Sequence, residues 1–135
     1  MSHTPPQLPE KAVSGGSKAR LLGQWGEMQV AEDLRRRGWT IVATNFRCRM
    51  GELDIIAENE AFLIFVEVKL RKDGRSGAPR EAVTWAKQQK LRAAAQSYLI
   101  ECPTTLQPRF DVAEVYAPHG IETSRPDIHY IENAF

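Results

Sequence analysis

The sequence predicts an α/β sandwich in which two helices cover a mixed five-stranded sheet. Three observations carry that prediction. A stripe of small and apolar residues at helical spacing precedes three β-rich runs. One of those runs, Ala61 to Leu70, is apolar on both faces, as a central strand must be. A second helical segment then separates the three runs from two more. Helices placed before and within the strand series give layered α/β architecture.

Each element has its own local reason. Met1 to Ser17 is rich in Pro, Ser and Gly and reads as a disordered tail, which leaves 18–135 as one domain. A helix is predicted from Lys18 to Arg37, with Gly38 in the position that ends helices. Thr40–Arg47 and Glu52–Ala57 read as strands. Glu58-Asn59-Glu60 is a polar turn leading into the Ala61–Leu70 strand. Asp73 to Pro79 is a Gly-containing loop. The second helix follows to about Ile100, with Thr84 as its N-cap. Arg109–Tyr116 and Asp127–Ile131 are the last two strands.

Composition bounds the rest. The chain has 135 residues, is 42% hydrophobic and 26% charged, and carries a formal charge of +1. That charge does not suit a strongly basic nucleic-acid binder. It hides a local excess, because Lys69 to Arg92 holds 8 basic and 2 acidic residues. No apolar run approaches the roughly 18 residues of a membrane span, and no signal peptide pattern is present. Cys48 and Cys102 have neither metal nor redox spacing. The expectation is a cytoplasmic protein with no disulfide and no membrane partner.

Ionisable residues in the predicted sheet carry the chemistry. Along Ala61–Leu70, Phe62, Ile64, Val66 and Val68 share one face, and Leu63, Phe65, Glu67 and Lys69 share the other. Asp54 lies on the preceding strand. Buried charges need a partner or a metal. An Asp followed by a Glu-x-Lys at the end of an apolar strand is a divalent-metal pattern suited to cutting phosphodiesters. A hairpin that sets Asp54 opposite residue 66 or 67 would unite the site, whereas a tight turn centred on Asn59 would set it opposite Ile64. Sequence leaves that register open. On the first helix, Gly23, Glu27, Val30, Ala31 and Leu34 share a face, so Glu27 falls within an apolar stripe. Gly23 and Gly26 would let this helix approach the sheet. Leu21, Trp25 and Met28 form a separate apolar patch.

Three carboxylates, Glu27, Asp54 and Glu67, suit Mg²⁺ or Mn²⁺. Lys69 would orient the attacking water or stabilise the transition state. The competing reading is a buried salt-bridge network among Asp54, Glu67 and Lys69 with no reaction attached. Lys87 and Lys90, one helical turn apart, and Arg71, Lys72 and Arg75 in and beside the Gly-containing loop are candidate phosphate contacts. Each could equally be a solvated charge. Asp111 reads as structural, paired with Arg109 or a nearby Arg. Trp85 and Tyr98 read as core, and His3, His119 and His129 show no ligand spacing.

These residues resemble a known family. Gly23-x-x-Gly26-Glu27 with Ala31 and Leu34, Asn45-Phe46-Arg47, Gly51-Glu52-Leu53-Asp54-Ile55-Ile56, Phe65-Val66-Glu67-Val68-Lys69 and Arg109-Phe110-Asp111-Val112 are similar to the YraN family. So are Leu91, Ala95, Tyr98-Leu99 and the terminal Asn133-Ala134-Phe135. The likeness covers about Lys18 to Phe135. It implies a restriction-endonuclease-like fold of the PD-(D/E)xK superfamily, similar to Holliday-junction resolvases. It places Asp54 at the superfamily Asp, Glu67 and Lys69 at its E-x-K, and Glu27 at the helix-borne Glu of the resolvase branch. Leu53 stands where many members have Pro. The resemblance implies a Mg²⁺-dependent endonuclease acting on DNA, with branched DNA as the resolvase-type substrate. Coordinated cutting of a symmetric junction would call for a homodimer. The alternative is a non-catalytic nucleic-acid-binding module that serves DNA repair or recombination proteins. A third reading is an interaction scaffold that keeps the charges as a structural network.

Overall fold

The computed structural model describes residues 15–72 and 83–135. Most of the expected N-terminal tail, the loop from Asp73 and Arg75 within it lie outside the described residues. The elements run α1 (Gly15–Arg36), β1 (Thr40–Cys48), β2 (Gly51–Glu58), β3 (Phe62–Arg71), α2 (Trp85–Glu101), β4 (Gln107–Tyr116) and β5 (Asp127–Ile131). A short 3-10 turn, Gly120–Glu122, precedes β5. α1 starts at Gly15, so the last three residues assigned to the tail are helical.

The five strands lie in the order β1-β2-β3-β4-β5. β3 and β4 are parallel, with α2 as their crossover, and the other neighbours are antiparallel. This is the expected mixed sheet. α1 covers one face, where Val30, Ala31 and Leu34 pack with Ile55, Ala57, Ile64, Val66, Ala113 and Val115. α2 covers the other, where Leu91, Ala94, Ala95 and Tyr98 pack with Leu53, Ile56, Leu63, Phe65 and Val112. The alternation read along β3 holds, with Ile64 and Val66 under α1 and Leu63 and Phe65 under α2. Among the described residues, no helix is long and apolar enough to cross a membrane.

Local chemistry accounts for the boundaries. Gly38 has φ 96°, its N–H donates to Arg35 O, and Trp39 N–H donates to Leu34 O at 2.9 Å. This left-handed cap satisfies the last carbonyls of α1. Thr84 caps α2 as expected, its hydroxyl accepting from Lys87 N–H at 3.1 Å. Gly26, not Gly23, is where α1 meets the sheet. A Cβ at Gly26 would lie 2.9 Å from Leu70 Cδ2, whereas one at Gly23 would meet nothing within 4 Å. The Leu21–Trp25–Met28 patch is also divided. Leu21 and Met28 are exposed, while Trp25 packs against the α1-side core.

Candidate functional site

The hairpin register left open by the sequence is set by Asn59. Its side-chain oxygen accepts from Ala61 N–H at 2.9 Å and Phe62 N–H at 2.8 Å, and its own N–H donates to Phe62 O. This Asx turn pairs Glu58 with Leu63 and, three steps on, Ile55 with Val66. One further step along that register sets Asp54 against Glu67. The looser of the two registers is therefore the observed one.

β1 and β2 depart from regular alternation at the same level. Leu53 and Ile56 both pack on the α2 side, while Ile55 between them packs under α1. On β1, Ala43 and Phe46 both pack on the α2 side. The paired residues here are Thr44–Ile55 and Phe46–Leu53, and Asn45 and Asp54 lie between them. Asn45 takes φ 53°, a left-handed conformation that Asn tolerates better than most residues. Asp54 thus sits where the side-chain pattern slips by one residue. Its carboxylate accepts from Val68 N–H at 2.9 Å, a backbone donor on β3.

The Asp54 carboxyl lies close enough to Glu67 for the two acids to act on each other directly. Burial, the Glu67 hydrogen bond and the Glu67 charge together push the Asp54 carboxyl up to about 9, despite the opposing Val68 N–H. Glu27 adds to this through its charge, and its own carboxyl is raised by burial and by Glu52 and Glu67. A hydrogen bond from Asn45 and the charge of Arg47 work in the other direction. Glu67 is only 9% exposed. Both Glu67 Oε2 and Glu27 Oε2 are buried without a hydrogen-bond partner. Lys87 Nζ stands 3.4 Å from Glu67 Oε2, an ion-pair distance that does not reach hydrogen-bond geometry. Lys87 is half exposed, so solvent screens the pair.

Two buried acid oxygens without hydrogen-bond partners, beside a third acid that can give up its proton, suit a hard cation. Among the described residues, however, no group of three or more His, Cys, Asp or Glu side chains is arranged to hold one ion. The fit is that of two ligands, Asp54 and Glu67, with Glu27 acting through its charge. Two protein oxygens are enough for a cation that keeps most of its water.

The remaining candidates separate. Lys69 shares the β3 face of Glu67, two residues on, and is opposite Glu114 of β4 in the register. Arg71, a candidate phosphate contact, pairs with Glu114, its NH2 standing 3.3 Å from Oε2. Lys72 and Lys90 are exposed. Glu114, 1% exposed, is the acidic residue the sequence reading missed. Its signal was a lone Glu within the apolar run Val112 to Val115. Asp111 is structural, as expected. Arg109 donates to it twice, at 2.9 and 2.8 Å, and Asn133 N–H donates at 3.0 Å. Tyr98 is core, but Trp85 is 73% exposed, contrary to its reading as a core residue. Trp85 opens α2 at the protein surface.

A sandwich of this topology, with an Asp and a Glu-x-Lys at the slipped centre of its sheet, defines the restriction-endonuclease-like class. Residues 26–115 match the model of Uncharacterised protein family UPF0102, and the chain belongs to that family. A UPF0102 protein of Alkaliphilus metalliredigens is 41% identical over 118 residues, covering 87% of this chain and 99% of the relative. One from Symbiobacterium thermophilum is 44% identical, covering 87% and 98%. One from Syntrophotalea carbinolica is 52% identical over 95 residues, covering 70% and 77%.

Proposed function

We propose that this protein is a divalent-metal-dependent endonuclease that hydrolyses DNA phosphodiester bonds, with branched, resolvase-type DNA as its leading substrate. One observation carries the reading. Asp54 and Glu67 are held carboxyl to carboxyl, and the orphaned oxygen of Glu67 is out of reach of bulk water. Two acids held this way keep a proton between them unless a cation replaces it. Bound there, Mg²⁺ or Mn²⁺ would acidify a water and offset charge on the phosphate. Asp54 and Glu67 would hold the ion. The Val68 N–H fixes one Asp54 oxygen, so only the other is free to turn toward a ligand. Lys69, on the Glu67 face, would donate to the attacking water or to a phosphate oxygen. Lys87, now the neighbour of Glu67, is placed to exchange that carboxylate for a phosphate.

A second reading has its own support. Lys87 partly neutralises Glu67, and no three-ligand group is present among the described residues. Both facts suit a module that binds nucleic acid without cutting it. Incubation with four-way junction, flap, single-stranded and linear duplex DNA decides between them. The assay is run in Mg²⁺, Mn²⁺ and EDTA, with wild type and a Glu67→Ala/Lys69→Ala variant. Metal-dependent cutting lost in the variant supports the nuclease. Binding without cutting supports the module.

A further inference from the structure

The first turn of α2 leaves one large apolar side chain in solvent. Trp85 is 73% exposed, whereas Trp25 and Trp39 pack against the α1-side core. The turn that carries it is fixed. Thr84 Oγ1 accepts from Lys87 N–H at 3.1 Å, Gln88 Nε2 donates to Val83 O at 2.9 Å, and Val83 is buried. The same turn is tied to the carboxylate pair, because Lys87 Nζ lies 3.4 Å from Glu67 Oε2.

A single exposed apolar residue needs no explanation by itself. Ile100 and Met50 are exposed too, at 79% and 56%. Trp85 differs in the helix that carries it. From Val83 to Ile100 the charged residues are Lys87, Lys90 and Arg92, with no acid among them. An exposed indole on a cationic helix complements an anionic polymer that also offers a π face. Bases in a duplex are already stacked on one another, so the face on offer belongs to an unpaired base.

We infer that Trp85 is a stacking platform for an unpaired base of single-stranded DNA, whose phosphates are met by Lys87 and Lys90 beside the Asp54–Glu67 pair. The inference rests on the proposed function for the place of the bond to be cut, and on Trp85 and the α2 cations for the base. It gives the site a substrate class, DNA with unpaired nucleotides at the cleavage point.

The test measures binding in EDTA, so that cutting plays no part. Wild type, Trp85→Ala and Trp85→Phe are titrated with a labelled single strand and with the blunt duplex of the same sequence. Trp85→Ala should weaken single-strand binding by about 5- to 150-fold, the range for removal of one stacking aromatic. Trp85→Phe should retain most of the affinity, and duplex binding should not change. Equal losses on both DNAs, no loss on either, or no binding by wild type would overturn the platform. So would a wild-type dimer that Trp85→Ala converts to monomer with DNA binding intact, since the indole would then pack on a second copy. Cleavage of junctions by wild type in Mg²⁺, scored separately, distinguishes the two failures. Cutting without Trp85 dependence removes the platform alone, and Trp85-dependent binding without cutting removes the nuclease alone.

Discussion

Asp111 and the Asp54–Glu67 pair are neighbours in the sheet, with Asp111 opposite Val66 and Glu67 opposite Val112. All three are acids in apolar strands, yet they are treated differently. Asp111 receives three hydrogen bonds, two from Arg109 and one from Asn133. Arg109 in turn lies over Phe62, 4.6 Å from the ring centroid, and over Trp39 at 5.8 Å. Asp54 and Glu67 receive one backbone donor, an ion pair too long for a hydrogen bond, and each other. The first arrangement closes on itself and locks the end of the chain to β4. The second is incomplete, which is why we propose a bound cation there and not at Asp111.

The largest expected effect falls on the closed centre. Arg109→Ala leaves Asp111 buried without its cation and should cost about 3–5 kcal/mol of stability. Urea denaturation measures this, and the properly folded fraction should still bind metal as wild type does. A loss near zero would mean that Asp111 is not closed in the sense described.

At the open centre the signs reverse. Lys69→Ala should lower metal-dependent cleavage by about 10²–10³-fold, the scale of one lost transition-state donor, while leaving thermal stability near wild type. Glu67→Gln should abolish cleavage and, above about pH 9 where Asp54 is ionised as well, raise stability in EDTA by removing the like charge facing it. A marked destabilisation by Glu67→Gln would return these residues to a structural network.

Protons sharpen the contrast. Unfolded, Asp54 titrates as an ordinary carboxyl; folded, it is pushed up to about 9. Between about pH 4 and pH 9 the native protein therefore holds a proton that the unfolded chain has released. Stability in EDTA should decline as pH rises through that window. Asp54→Asn, which can keep the Val68 contact through its amide oxygen, should flatten the decline. Denaturation at pH 5, 7 and 9 reads this directly.

The smallest effect concerns Asn45. Asn45→Ala imposes a left-handed conformation on a residue that resists it and removes the hydrogen bond to Glu27. A loss of about 1–2 kcal/mol is expected. Asn45→Gly should recover the backbone share but not the Glu27 share.

Much of this contrast was legible in the sequence. Alternation along β3 placed Glu67 and Lys69 on one face. Helical spacing buried Val30, Ala31 and Leu34, and proximity paired Asp111 with Arg109. These are local periodicities, fixed by neighbours a few residues away. The meeting of Asp54 with Glu67 was not legible, because it depends on how the Asn59 amide folds the turn. The slip at Asn45 and Asp54 was hidden too, since it arises only when β1 and β2 distort together. Trp85 was misjudged because composition makes tryptophan a core residue by default, and only the packing reveals that it is exposed. The ion pair of Arg71 with Glu114 was hidden as well, because Glu114 is remote in the chain and adjacent in space.

The central claim is that the open acidic pair is a cation site. Calorimetric titration of the purified protein with Mn²⁺ at pH 7.5 and 9, in two buffers of different ionisation enthalpy, tests it most directly. One saturable site is expected, tighter at pH 9, with proton release at pH 7.5 and no binding in Glu67→Gln. Absence of saturable binding by wild type at millimolar Mn²⁺, or equal binding by Glu67→Gln, would contradict it.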